Sequence, residues 1–165
     1  MPATWTDPRT WVDLDLVTAA DLNEQVRDNL LWLKERPIAN ESDFDGTFFN
    51  TTSSTWQDTG ADAALTTTGG RVLVVAFGGV YVGGSSTAAH LTLYQDGSNV
   101  GNATEGMMQA RNPANALYSP FAIVYITPAA PTAAAHTWKL YMKSSDNAAN
   151  VYIRAYQMWA IEIGA

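Results

Sequence analysis

The chain of 165 residues contains no cysteine. That single absence excludes a disulfide framework, a thiolate zinc site and a cysteine nucleophile. Charge is also scarce. Only 15% of residues are Asp, Glu, Lys or Arg, against about 25% in an ordinary soluble domain. Cations are the scarcer sign, nine against sixteen acids, leaving a net charge of -7. Neither nucleic acid nor an anionic membrane is expected as a partner, because both need a basic footprint. Long apolar runs are missing as well. The longest, Val72 to Val82, is too short for a membrane helix and holds two glycines. The opening Met1-Pro2-Ala3-Thr4-Trp5 has neither the basic flank nor the apolar run of a signal peptide, so synthesis without a secretion leader is the expectation.

What is present is an apolar content of 47%, normal for a globular chain. The length suits one compact domain with an appendage. Few charges combined with much Gly, Ala, Thr and Asn point to an extra surface to bury, in an oligomer or on a partner. The charges that exist are unevenly spread. Residues 1–46 hold ten acids and four bases, whereas residues 47–165 hold six acids and five bases. Such a shift marks a boundary. The expected organisation is an extended arm over 1–17, a short helix over 18–36, a linker over 37–44 and a β head over 45–165.

The helix has explicit start and stop signals. Thr18 serves as N-cap with Asp21 reaching back, a T-x-x-D form of the capping box. Acidic Asp21 and Glu24 lie at the positive end of the dipole and Lys34 and Arg36 at the negative end. Pro37 ends it. Leu22, Val26, Asn29 and Leu33 fall at spacings of four, three and four, a coiled-coil seam with one polar member that would fix register. A segment this short is marginal alone and needs partner helices or the following domain. Leu30, Leu31 and Trp32 make the last turn apolar on nearly every side, so it docks on its own β domain, on a second copy or on a foreign surface. Upstream, Trp5 and Trp11 flank Pro8 and Arg9 in a stretch without periodicity. Free tails seldom hold tryptophan at this density. The stretch is either folded back on its own domain or a docking arm whose indoles fill partner pockets.

From Phe44 onward the period is two. Strands are expected at Gly46–Asn50, Arg71–Phe77, Val80–Val82, Ala89–Gln95, Phe121–Thr127, Thr137–Lys143 and Val151–Ile163, separated by Gly, Pro, Asn and Ser clusters. Asp96-Gly97 is the best hairpin signal. Many short strands without helical interludes indicate a mainly β, antiparallel jelly-roll sandwich. In the last strand both faces carry large apolar groups. Its Tyr152, Tyr156 and Met158 row is expected to be the head's interface between subunits of a trimer.

No catalytic constellation emerges. His90 and His136 are the only histidines, each inside a strand-like stretch as a structural residue, and no H-x-x-H pair offers a metal site. The serines form no G-x-S-x-G elbow. Gly78 and Gly79 read as strand glycines marking a bulge or a close backbone approach. The six acids of the β region sit mostly in loops, too few and scattered for glycoside hydrolysis. Asp43-Phe44-Asp45-Gly46 holds only part of a calcium loop. The expectation is a non-enzyme with no cofactor and no metal.

The run Thr4-Trp5-Thr6-Asp7-Pro8-Arg9-Thr10-Trp11, followed by Val17-Thr18-Ala19-Ala20-Asp21-Leu22-Asn23 and Arg27-Asp28-Asn29-Leu30, resembles the N-terminal segments of bacteriophage head-fibre, decoration and tail-associated proteins. More loosely, Phe48-Phe49-Asn50-Thr51-Thr52, Leu65 to Val74 and Leu91 to Gly97 resemble the C1q/TNF-like jelly rolls that end many phage fibres. The resemblance implies a homotrimer on the virion surface, attached to the major capsid protein or another virion protein through Trp5, Pro8, Arg9, Trp11 and Trp32. A helix this short suits a compact knob near the particle better than an outstretched fibre. The second reading is a tail-fibre or receptor-binding tip that recognises host-surface glycans through the loops around Met107–Tyr118 and Ser144–Tyr152. A cellular C1q-like or lectin-like module is a third, disfavoured by the docking arm.

Overall fold

The computed structural model describes residues 6–7, 9–12, 14–84, 86–111 and 118–164, with residues 41–48 described in backbone alone. Thr18 caps the helix as its residues require. Its side chain accepts from the Asp21 N–H while the Asp21 carboxylate accepts from the Thr18 N–H at 3.0 Å. The helix then runs as α1 (Ala19–Leu22), a π segment (Asn23–Asp28) and α2 (Asn29–Glu35). Arg36 turns to ψ 139° immediately before Pro37, the extended conformation that a following proline imposes. No helix among the described residues is long and apolar enough to cross a membrane.

Nine strands follow among the described residues: β1 (Ile38–Thr51), β2 (Gln57–Thr66), β3 (Arg71–Val82), β4 (Ala88–Gln95), β5 (Ser98–Asn99), β6 (Met108–Arg111), β7 (Ser119–Ile126), β8 (Ala135–Ser144) and β9 (Val151–Gly164). They form two antiparallel sheets. Sheet A has the order β1-β9-β3-β7, and sheet B the order β2-β8-β4-β5 with β6 also paired to β4. The chain alternates between sheets at almost every turn, which is the jelly-roll sandwich expected from the period-two pattern. Between the sheets lies the core: Leu91, Leu93, Trp138, Leu140 and Met142 from sheet B against Val72, Val74, Ile153, Met158 and Ala160 from sheet A, all fully buried. Burying each large aliphatic side chain is worth about 1.5–3 kcal/mol.

Asp96 and Gly97 adopt φ +50° and +82°, the double left-handed pair of a two-residue hairpin turn, and join β4 to β5 as their sequence predicts. The buried carboxylate of Glu162, fully inaccessible, is satisfied by the Thr68 N–H and hydroxyl at 2.9 Å each and by the Gly70 N–H. A Cβ on Gly70 would lie 2.6 Å from that carboxylate, so glycine is the residue that lets the β2–β3 turn close over it.

Three expectations are corrected here. Residues 37–44 are not a linker: β1 begins at Ile38 and pairs with β9 from Ile38↔Ile161 onward. The head therefore starts at Pro37 rather than Asp45. The second correction adds three strands, β2, β6 and the two-residue β5. In β2 the Asp- and Ala-rich Gln57–Thr66 has weak strand propensity, and Gly60 at φ +83° breaks its register between Asp58 and Asp62. The third concerns β9. Tyr156 is 8% exposed and Met158 0%; both point into the core rather than outward. A bulge is the cause. Ala155 takes φ +49°, and the register against β3 jumps from Phe77↔Gln157 to Gly79↔Arg154. One extra residue moves every later side chain to the opposite face. Upstream of the bulge Val151 and Ile153 are inside, and downstream Tyr156, Met158, Ala160 and Glu162 are. Gly78 sits opposite, where a Cβ would meet Phe121 at 2.9 Å and Tyr156 Cα at 3.0 Å. The reading of Gly78 as a close-approach glycine is met.

Candidate docking and assembly surfaces

The arm lies along the helix. The Thr6 N–H donates to Asn29 Oδ1 at 2.9 Å, and Asn29 Nδ2 donates back to the Thr6 carbonyl at 3.0 Å. Three residues on, the Arg9 N–H donates to Gln25 Oε1 at 2.7 Å and the Arg9 guanidinium pairs with Asp21 at 2.7 Å. The Asp21 carboxyl is held below its usual range by the Thr18 hydroxyl first, then by the Thr18 N–H and by Arg9. Arg9 also stacks over the Trp11 ring at 4.6 Å. Trp11 itself is 40% exposed. Trp5 and Pro8 lie outside the described residues.

These bonds reassign Asn29. Expected to fix register between helices, it is 7% exposed and spends its amide on the arm of its own chain. The aliphatic members of the expected seam remain free: Leu22, Val26 and Leu33 are each about half exposed, with Leu30 beside them at 60%. Trp32 is corrected too. It is 5% exposed, and its ring tip approaches Gly164 at the end of β9. It anchors the helix to its own head and offers no indole to a partner.

A second surface was reached by the sequence only in outline. The outer face of sheet A is built of cross-strand rows. Ile38, Ile161, Leu73 and Ile126 form one row across all four strands, and Trp159, Val75 and Val124 lie in the next. Phe77 and Ala122 continue the face. Beyond the bulge it ends in a tyrosine cluster, with Tyr81 5.6 Å from Tyr118 and 5.3 Å from Tyr152 between ring centroids. Of the expected interface residues only Tyr152 lies on this face. Val124 at 64%, Ile38 at 54% and Ile126 at 47% exposure leave it open to a partner. Its β9 members, Trp159 and Ile161, were missed because the bulge reverses the phase of that strand, and nothing in Arg154-Ala155-Tyr156 announces a bulge.

Among the described residues no group of three or more His, Asp or Glu side chains could hold a metal ion. His136 does what a strand histidine usually does: its Nδ1 bonds the Asp96 carboxylate at 2.7 Å and its Nε2 lies 3.0 Å from the Thr132 carbonyl.

No protein-family model and no curated protein sequence matches the chain. Among solved structures it is similar to Eiger TNF from S. frugiperda, at 9% identity over 77% of this chain and 92% of that one, with a TM-score of 0.41. It is similar to a chain of infectious bursal disease virus, Gx strain, at 12% identity and a TM-score of 0.44, covering 79% of this chain and 37% of the viral one. A tailspike protein of bacteriophage CBA120 is similar over 74% of this chain and 19% of that one, at 14% identity and a TM-score of 0.30.

Proposed function

We propose that this chain is a non-enzymatic structural protein of a bacteriophage virion, a homotrimeric decoration or head-fibre protein whose N-terminal segment attaches it to the capsid or another virion protein. The observation that carries the reading is the outer face of sheet A. Four strands present apolar and aromatic side chains outward, on a chain with only 15% charged residues. An open apolar face of this kind is a self-association surface. The resemblance of the first 35 residues supports the virion location, and the half-exposed Leu22, Val26, Leu30 and Leu33 give the helix a face for neighbouring helices. Attachment then works by binding energy alone, multiplied because a trimer offers three arms at once.

Light scattering on the full chain tests assembly. A trimer has three times the 17.8 kDa of one chain. Deleting residues 1–17 should leave the assembly trimeric and abolish co-sedimentation with particles. A monomeric full chain, or undiminished particle binding after the deletion, overturns the proposal. A tail-fibre tip that reads host glycans is the second reading, supported by a polar hollow on sheet B.

A further inference from the structure

The outer face of sheet B holds a hollow of about 230 Å³ that the assembly reading does not use and does not depend on. Its floor is a row across three strands. Gln109 on β6 stands opposite His90 on β4, and His90 opposite Lys143 on β8. Side chains directly opposed in antiparallel strands have Cβ atoms about 4.5–5.5 Å apart. Arg111 follows Gln109 by two residues and so lies on the same face. The loop between β5 and β6 and the turn after β8 form the rim.

This hollow is prebuilt. His90 is 4% exposed and both its ring nitrogens are engaged, Nδ1 at 3.1 Å from the Glu105 carbonyl and Nε2 at 3.3 Å from the Gln109 amide nitrogen. The ring therefore fixes the loop on one side and Gln109 on the other. Lys143 holds its ammonium 4.7 Å over the Trp56 ring, and that indole is itself tied to the Ala103 carbonyl at 2.9 Å. Gly106, at φ +73° with Leu91 O and the Trp56 ring under 3 Å from any Cβ, lets the loop lie this close.

The charge here is opposite to that of the rest of the molecule. Two cations, Arg111 and Lys143, converge on the hollow, and neither forms an ion pair with a described carboxylate. Elsewhere on the same sheet a lysine is paired: Lys139 meets Asp58 at 2.7 Å. The one carboxylate at the hollow, Glu105, is mostly exposed and turns toward His90 at 3.4 Å. Arg111, Lys143 and Glu105 leave one positive charge without a counter-charge, on a chain of net -7. A monoanion balances it; a phosphomonoester, at about -1.5 to -2, exceeds it. The remaining lining is hydroxyl and amide. Ser145 Oγ accepts from the Ala88 N–H at 2.9 Å, which leaves its own proton free to donate, and the Gln109 carbonyl is free to accept. A volume below the roughly 300–1,000 Å³ of drug-sized sites fits one ring.

We propose that this hollow binds an acidic monosaccharide unit, a sugar ring bearing one carboxylate. Arg111 grips the carboxylate with its two-pronged guanidinium, Lys143 adds a point charge, and Ser145 and Gln109 bond ring hydroxyls. The test is amide-shift NMR on the full chain, titrated separately with glucuronate, glucose, glucose 6-phosphate and acetate. Glucuronate is expected to shift the amides of Gln109, Arg111, Lys143, Ser144 and Ser145, with the other three each at least about tenfold weaker. Arg111→Gln should weaken glucuronate by about tenfold or more while the rest of the spectrum is unchanged, and Arg111→Lys should recover only part of it. Equal binding of glucose removes the role of the cations. Equal binding of acetate reduces the hollow to an adventitious anion sink, and equal binding of glucose 6-phosphate removes the carboxylate preference. Absence of shifts at those amides overturns the proposal altogether.

Discussion

The two outer faces of the sandwich are made from strands of similar length, yet they are finished differently. On sheet B polar and aromatic groups meet local partners, Lys139 with Asp58 and Tyr94 stacked on Tyr141 at 3.9 Å, and at the hollow Arg111 and Lys143 stand ready for an anion. On sheet A the rows of Ile, Leu, Val, Phe and Trp have neighbours within the sheet and leave Ile38, Phe77, Val124 and Ile126 exposed. A face whose polar groups are satisfied can stay in water. A face of unpaired apolar side chains is stable only when covered. On the two proposals above, the contrast separates a side of the molecule that would meet a ligand from a side that would meet other subunits.

The largest effect that can break this comparison is a charge placed on each outer face. Val75→Glu should reduce the native mass from about 53 kDa (three times 17.8 kDa) to that of one chain, with circular dichroism unchanged. Ala64→Glu, on the outer face of sheet B, should leave the mass as it was. Equal responses from the two variants would erase the distinction.

A second, smaller effect sharpens it inside one strand. Met158 is fully buried and its neighbour Trp159 half-buried on the outer face. Met158→Ala should cost about 2–5 kcal/mol in urea unfolding, whatever the oligomeric state. Trp159→Ala should instead weaken the concentration dependence of stability that the proposed assembly gives the unaltered chain.

The smallest effect is on pH. Hydrogen bonding to Asp96 comes first among the causes that raise the His136 pKa above its ordinary value of 6.5. Burial pushes the Asp96 carboxyl up, but the bonds from His136 and the Thr137 N–H outweigh it and hold it low. A raised histidine contributes stability that is complete below its unfolded pKa and lost as pH rises through the folded one. A depressed aspartate contributes above its unfolded value of 3.8 and loses that contribution as pH falls through its folded one. The pair therefore supports the fold most between these limits and fades as pH rises through the raised His136 pKa. With Asp96 nearly half exposed, its worth is at most about 1 kcal/mol. Asp96→Asn should lower the His136 midpoint in an NMR titration and flatten stability against pH across that range.

Much of this was legible from sequence where the signal is local. The capping box of Thr18 and Asp21, the stop at Pro37 and the hairpin at Asp96-Gly97 depend on residues a few positions apart, and the structure uses each as read. Alternation was legible too, until something interrupted it. Ala155 adopts a bulge without being a glycine, and a period-two reading carried through it assigns Tyr156 and Met158 to the wrong face. Asn29 satisfied a heptad pattern, but a backbone twenty-three residues away claimed its amide first. The hollow on sheet B was legible only as two loops, around Met107–Tyr118 and Ser144–Tyr152, and its floor was not, for a related reason. His90, Gln109, Arg111 and Lys143 meet only through strand register, and none belongs to a motif in the chain.

The order of the strands in sheet A has a temporal meaning. β1 must wait for β9, its hydrogen-bonded partner more than a hundred residues later, and β9 is also the strand that joins β1 to β3. Pairings of that sequence separation make folding slow, on the scale of milliseconds to seconds. During synthesis the arm and helix emerge first, whereas the sheet that Trp32 meets at Gly164 stays open until residues 151–164 leave the ribosome. In that interval the future core of β3 and the unpaired edge of β1 are exposed together, a state prone to aggregation. Neighbouring chains on one polysome are held close during the same interval, so the apolar helix faces have the first opportunity to find one another.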